Sequence, residues 1–196
     1  MVKSVRLAVF ASGTGTNFQA LHDAILQRQL HAKIVRLIVD RSAAGALNLA
    51  KIFGIPATFI KYSDYKTKPE AEQAILKQLQ IDEVDGILLA GYMRILTPTL
   101  INAYAGKIIN LHPAMLPNFP GRHSILDAYE AGVDTTGVTV HFVDNGIDTG
   151  KIIAQQKVQR LDTDALQDLE TRVHNVEHVL YPNTLEQLLN EGVFLK

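Results

Sequence analysis

The sequence predicts a doubly wound α/β fold: a mostly parallel, Rossmann-like sheet with an antiparallel edge from its C-terminal strands. Three observations carry this expectation. Over the first 110 residues, short apolar runs alternate with segments of helical period, the pattern of parallel βαβ units covered on both faces. A glycine turn, "SGTGTN", directly follows the first apolar run, where an open α/β sheet places a ligand turn. Near the C-terminus two β-branched runs are separated only by "DNGIDTG", too short for a crossover helix, so they should pair antiparallel.

Taken in order, "VRLAVFAS" (5–12) reads as the first strand and Asn17 to about Gln29 as a helix. "KIVRLIV" (33–39) is the second strand, followed by a helix over Ala44 to Phe53 and a short strand at "IPATFI" (55–60). "KPEAEQAILKQLQ" (68–80) carries the helical period, with Ala71, Ile75 and Leu79 on one face. "GILLAG" (86–91) is a fourth strand. "TPTLINAY" (97–104) gives a turn or two of helix with Pro98 early, and "KIIN" a fifth strand ending at Asn110. A proline-rich loop then leads to a helix near Ser124–Ala131, and strands follow at "GVTVHFV" (137–143) and "KIIAQQKVQ" (151–159). A long amphipathic helix from about Asp164 to Asn190 closes the chain, with a break expected near Tyr181–Pro182. No linker, repeat or low-complexity tract divides the 196 residues, so a single domain is expected.

Composition narrows the classes of function. The chain is 47% hydrophobic and 20% charged, which is globular. Its net charge of −1 and lack of any basic block argue against non-specific nucleic-acid binding, which needs a clustered cationic face. With no cysteine there is no disulfide, thiolate nucleophile or Cys-ligated zinc, which fits a cytoplasmic protein. "MVKSVRLAVFAS" lacks a signal h-region, and no apolar run approaches the ~20 residues that span a bilayer.

Ligands of such sheets bind beyond the carboxyl ends of the strands. At the first end Gly13 and Gly15 allow a tight turn, and the N–H groups of Gly15, Thr16 and Asn17 would face outward at a helix N-terminus, an anion site in outline. The third glycine of a dinucleotide fingerprint is missing, and so is the G-K-[ST] of a P-loop, so a phosphate monoester fits better than a pyrophosphate. Asp40, at the end of the second strand, could cap a ribose, or be one of the acidic residues that often follow strands. In "LLAGYMRIL", Gly91 permits close approach while Met93, Ile95 and Leu96 could offer apolar contact to a flat ligand.

The stretch "NLHPAMLP" (110–117) is the most suggestive. Asn110 and His112, two residues apart at a strand end, would project together, ahead of a turn locked by Pro113 and Pro117. A plain capped turn is the alternative. In "VDNGIDTG", Asp144 and Asp148 could belong to a hairpin turn, but if this loop folds over the sheet end, Asp148 can meet His112 and stabilise its charged form. His22 and His31 fall on or near a surface helix, and His141, between valines of a strand, reads as structural. Histidines so dispersed, without H-E-x-x-H, argue against a metal site, and the absence of G-x-S-x-G argues against an esterase.

"SGTGTN", "AGYMRIL", "NLHPAMLPNFPG" and "DTG", in this order across the whole chain, resemble the folate-dependent formyltransferases, and among them the phosphoribosylglycinamide formyltransferases of de novo purine biosynthesis. The Asn-x-His-Pro signature alone is common to the folate-dependent formyl transferases and hydrolases. The glycine turn narrows the likeness to enzymes of a phosphorylated ribose. The resemblance implies 10-formyltetrahydrofolate as co-substrate and glycinamide ribonucleotide as acceptor, with no metal. It implies that Gly15, Thr16 and Asn17 bind the nucleotide phosphate, with Glu177 a further substrate contact. Folate contacts fall on Lys68, Met93, Arg94, Ile95, Leu96 and Asn110, and the catalytic trio on Asn110, His112 and Asp148. Thr16 stands where Ser is common, Ala114-Met115 replaces Ser-Leu, and Lys68 replaces an Arg, which would weaken a bidentate contact.

Chemically, the acceptor amine would attack the formyl carbon, Asn110 and protonated His112 would stabilise the oxyanion, and His112 would protonate the departing folate nitrogen. The expected division is a nucleotide-phosphate half over about 1–110 and a folate and catalytic half over about 86–196, in a monomer or homodimer binding neither nucleic acid nor membrane. Three rivals share parts of the pattern. A formyltetrahydrofolate deformylase would use the same trio with water and usually carries an extra N-terminal domain. A methionyl-tRNA formyltransferase would need a further C-terminal domain. A non-catalytic nucleotide-binding module would leave the trio a coincidence.

Overall fold

A computed structural model describes residues 4–195. One sheet of seven strands runs in the order β3-β2-β1-β4-β5-β6-β7. β1 (Val5–Ala11), β2 (Ala32–Val39), β3 (Ala57–Phe59), β4 (Gly86–Leu89) and β5 (Ile108–His112) are parallel, and β6 (Thr135–Phe142) and β7 (Ile152–Gln159) continue antiparallel. The helices are α1 (Thr16–Gln27), α2 (Ala46–Phe53), α3 (Lys68–Ile81), α4 (Pro98–Ala103), α5 (Ser124–Glu130) and α6 (Leu166–Asn190). From β1 the chain winds outward to β2 and β3 on one side, then returns to place β4 and β5 on the other. A crevice therefore opens beyond the carboxyl ends of β1 and β4.

Alternation along β1 shows why both faces are covered. Leu7, Val9 and Ala11 enter one core with Phe18 and Leu21 of α1 and Tyr181 and Leu185 of α6. Ala8 and Phe10 enter a second core with Ile75 and Leu79 of α3 and Leu100 of α4. The face expected of α3 is the buried one, Ala71, Ile75 and Leu79 all being fully buried. Thr67 caps this helix by accepting from the Glu70 N–H at 3.3 Å, and Pro69 occupies the first turn, where a missing N–H costs nothing. No helix among the described residues is long and apolar enough to cross a membrane.

The break expected near Pro182 does not occur: α6 runs unbroken for 25 residues with Pro182 inside it. One proline removes a single backbone bond, and the burial of Tyr181, Pro182 and Leu185 holds the helix through that point. Tyr181 also fastens α6 under the crevice, its hydroxyl reaching the carbonyls of Leu89 at 3.0 Å and Ile109 at 3.1 Å, on β4 and β5.

Candidate active site

Asn110 and His112 both lie within β5, so the strand's alternation points them to one face. The antiparallel ladder sets His141 of β6 opposite Asn110 and Thr139 opposite His112, and residues directly opposite share that face. Asn110 Nδ2 donates to His141 Nε2 at 3.1 Å and lies 3.4 Å from Asp148 Oδ1. His141 Nδ1 donates to the Phe142 carbonyl at 2.8 Å, which leaves Nε2 of the neutral ring as acceptor. The sequence suggests a structural histidine at 141; the ladder makes it a member of the cluster as well.

The loop between β6 and β7 brings Asp148 over these side chains, in a left-handed conformation at φ 53°. Its Oδ2 accepts the Gly121 N–H at 2.9 Å and stands 3.4 Å from His112 Nδ1, while Oδ1 is 3.6 Å from His141 Nε2. Burial works to raise the Asp148 pKa. The His141 contact, the Gly121 N–H and the neighbouring imidazoles outweigh it, so the carboxyl is held below its usual range. On its other side His112 Nε2 meets the Phe119 carbonyl at 2.8 Å. Both ring nitrogens of this buried histidine thus face acceptors, and only a ring carrying both protons can donate to both.

The turn after His112 is held by more than its prolines. Thr139 Oγ1, fully buried, donates to the Ala114 carbonyl at 2.7 Å and accepts the Leu116 N–H at 3.1 Å. Gln155 Nε2 of β7 reaches the Leu116 carbonyl and Thr139 Oγ1, each at 2.9 Å. Thr139→Val keeps the shape and strands the Leu116 N–H. It should cost about 1–3 kcal/mol of stability, the penalty for a buried donor left unmade, and a denaturant melt showing no change would remove this residue as the turn's anchor.

At the other end of the site Gly15, at φ 87°, ends the glycine turn and begins α1. No side chain caps this terminus, so its first N–H groups are available to an anion. A Cβ on Gly15 would lie 2.8 Å from Ala46 Cβ and 2.9 Å from Ala46 Cα. Side-chain bulk at position 15 therefore pushes the turn away from α2 and does not simply plug the anion site. Facing the turn, Glu177 of α6 is 3% exposed. Its Oε2 accepts from Asn17 Nδ2 at 2.8 Å and from His174 Nδ1 at 2.9 Å.

Between these ends runs the segment after β4. Ser12 Oγ donates to Asp40 at 2.5 Å and accepts the Met93 N–H at 2.8 Å, and Arg94 Nε donates to Asp40 at 2.7 Å. Asp40 is thus buried and paired, an anchor for the 92–94 segment and not a ribose cap. The Arg94 guanidinium lies over the Tyr62 ring, 4.8 Å from its centroid. Glu72, fully buried on α3, accepts from the Thr97 N–H at 2.8 Å and hydroxyl at 2.5 Å; burial pushes its carboxyl up. Sequence reading passed over Glu72, since a glutamate within a helix of polar period reads as solvated. Met93 and Ile95 remain well exposed.

The glycine turn, the segment after β4 and the β5–β6 cluster border one cavity of about 640 Å³, from Gly13–Asn17, past Leu89–Leu96, to Asn110, His112, His141 and Asp148. His174, Glu177 and His178 close it along α6. Lys68 is not among the lining residues. It sits at the start of α3, where partial burial and the charges of Arg94 and Arg122 lower its pKa against the opposing pull of Glu72. Among the described residues no group of three or more His, Asp or Glu side chains is arranged to hold a metal ion.

The open α/β sheet thus carries an uncapped glycine turn at one end of its crevice and an amide–imidazole–carboxylate cluster at the other, the layout of an enzyme with two groups to bring together. Residues 5–185 match the formyl transferase family, and the chain belongs to it. It is 44% identical over 184 residues to the phosphoribosylglycinamide formyltransferase of Bacillus subtilis (strain 168), covering 94% of each chain. Among solved structures it is similar to glycinamide ribonucleotide transformylase 1 from Geobacillus kaustophilus, at 49% identity and a TM-score of 0.92, covering 95% of this chain and 99% of that one. It is also similar to the phosphoribosylglycinamide formyltransferase from Bacillus halodurans, at 42% identity and a TM-score of 0.94, covering 97% and 100%.

Proposed function

We propose that this enzyme transfers the formyl group of 10-formyltetrahydrofolate to the amine of 5'-phosphoribosylglycinamide, a step of purine (IMP) biosynthesis in the cytoplasm. The observation that carries the reading is the shared cavity: one continuous space joins an anion turn to a cluster of Asn110, His112 and Asp148, as a bisubstrate reaction on a phosphorylated acceptor requires.

The phosphate sits on the N–H groups of Gly15, Thr16 and Asn17, and Glu177 is left to meet a ribose hydroxyl through Oε1. The flat pteridine lies along Met93, Ile95 and Leu96, with Arg94 and, more remotely, Lys68 toward the folate's carboxylates, and Asn110 touching both substrates' reacting groups. The amine attacks the formyl carbon, and the carbonyl oxygen becomes an oxyanion. Asn110 has one short bond to His141 and one long contact to Asp148, and the hydrogen on the long contact is the one that can turn to the oxyanion. The new C–N bond forms as the bond to the folate nitrogen breaks; protonated His112 gives its proton to the folate nitrogen, and the proton lost by the amine restores the imidazolium. Asp148, ionised, faces the ring charge before that transfer and again once it is restored. The single domain over 1–196 then divides by ligand, with the phosphate turn in its first half and folate and catalytic groups from about residue 86 onward.

The test is an assay of formyl transfer to glycinamide ribonucleotide with hydrolysis of the donor in water measured alongside. Transfer far exceeding hydrolysis is expected; hydrolysis alone would point to a deformylase. Gly15→Ala forces a side chain into a left-handed position, at about 1–2 kcal/mol, and against Ala46. It should raise the apparent KM for the ribonucleotide several-fold more than that for the folate, with a lower melting temperature. Equal changes in both KM values would remove the phosphate from this turn.

A further inference from the structure

The ribonucleotide end of the cavity presents an electrostatic problem. Its turn, residues 13–17, carries no charged side chain, and the nearest acid, Glu177, is buried and ionisable. The permanently charged cations that line the cavity are committed elsewhere: Arg94 to Asp40 and the Tyr62 ring, Arg122 to the Met93 carbonyl at 3.1 Å. A phosphate dianion bound here would face a carboxylate with no lysine or arginine beside it.

We propose that His174 supplies the missing positive charge, so that binding of the 5'-phosphate at this turn is gated by the protonation of one histidine. This rests on the ribonucleotide reading above. His174 lies three residues before Glu177 on α6, lines the cavity, and leaves about half of its side chain exposed. Its Nδ1 is tied to Glu177 Oε2 at 2.9 Å, so the proton of a neutral ring belongs on Nδ1. Nε2 is then the nitrogen that changes character. In the imidazolium it is a charged donor on a half-exposed side chain that lines the cavity; in the neutral ring it is a lone pair that repels a phosphate oxygen.

The charges acting on His174 favour the first state. The bond to Glu177 and its charge, with Glu170 adding to them, raise the His174 pKa against the opposing effect of burial. His178, one turn further along α6, is not an equivalent cation, because burial lowers its pKa. From the facing turn and the start of α1, residues 13–17 contribute no charge. Two more atoms mark this end as built for a ligand: Asn17 Oδ1 and His178 Nε2 are buried without a partner among the described residues, although both residues line the cavity. A buried polar atom without a partner is costly, and a bound phosphoribosyl group offers both hydroxyl donors and oxygen acceptors to such atoms.

The sign of the pH effect follows. Because the folded His174 pKa is raised, the charge is present at and below neutral pH and is lost as pH climbs through that value. A phosphate monoester ionises a second time near pH ~6, so above pH 7 the ligand's charge is constant and only the histidine titrates. Ribose 5-phosphate, which lacks the reacting amine, is therefore the probe, titrated calorimetrically into the intact protein from pH 7 to 9. Wild-type affinity is expected to fall about tenfold over this range, the scale of one charge-assisted hydrogen bond. His174→Gln should bind weakly and evenly throughout, His174→Lys tightly and evenly, and both should keep the wild-type KM for the folate. A wild-type affinity that is flat from pH 7 to 9, or a His174→Gln variant as tight as wild type at pH 7, overturns the proposal while leaving the ribonucleotide reading intact. No binding of ribose 5-phosphate to wild type at pH 7 overturns that reading and this inference with it.

Discussion

Asp148→Asn is expected to lower kcat by about 10²–10⁴, the range that a positioned acid–base group contributes. The substitution isolates charge from shape. Asn tolerates the left-handed backbone that Asp148 adopts at φ 53°, so the loop keeps its course. The amide cannot reproduce the wiring, however. One carboxylate oxygen faces Asn110 Nδ2 and His141 Nε2, and the other faces the Gly121 N–H and His112 Nδ1. An NH₂ in either place sets a donor against a donor, Asn110 Nδ2 in the first and the Gly121 N–H in the second. Because the native carboxyl is held below its usual range, it is ionised throughout pH 6–8, and the deficit of the variant should persist across that span. The measurement is kcat against pH for both proteins, with thermal melts confirming the fold. A folded variant within threefold of wild type at pH 7.5 would take Asp148 out of the mechanism.

Asn110→Ala should reduce kcat by about 10²–10³, the loss seen when a single oxyanion donor is removed. The side chain sits at the meeting of two strands and one loop, touching His141 and Asp148 as well as the cavity. Alanine therefore removes the donor and also leaves His141 Nε2 without its partner. His141→Phe distinguishes the two effects, since it deletes the buried imidazole and keeps Asn110. If Asn110 acts on the oxyanion, its alanine variant should lose far more in kcat than the His141 variant. Equal losses would mean that Asn110 merely completes the strand-to-strand bond.

The parts of this architecture that rest on local periodicity are legible in the sequence. The five parallel strands, the Ala71–Ile75–Leu79 face and the pairing of Asn110 with His112 on one side of β5 all follow from spacing within a single element. What was not legible depends on which elements become neighbours. His141 is unremarkable between valines until β6 lies antiparallel to β5 in the register that puts it opposite Asn110. Thr139 and Gln155 gain their grip on the 114–116 turn from the same ladder. Asp40 and Glu72 are carboxylates whose burial depends on partners 25 to 54 residues away, Arg94 for one and Thr97 for the other. His174 and His178 do leave a local trace in "HNVEH", which sets both on the Glu177 side of one helix, but nothing nearby in sequence shows that the first glycine turn lies across from them.

The Asn17–Glu177 bond joins residues 160 positions apart. A chain that emerges from the ribosome N-terminus first has made residue 148 well before residue 177, so the glycine turn is the part of the cavity that waits longest for its partner. Tyr181 and Leu185 of the same helix pack in the core with β1, and Tyr181 is bonded to β4 and β5, so the helix that completes this end of the cavity also completes the core beneath it. Loss of α6 would therefore open the glycine turn and the sheet together.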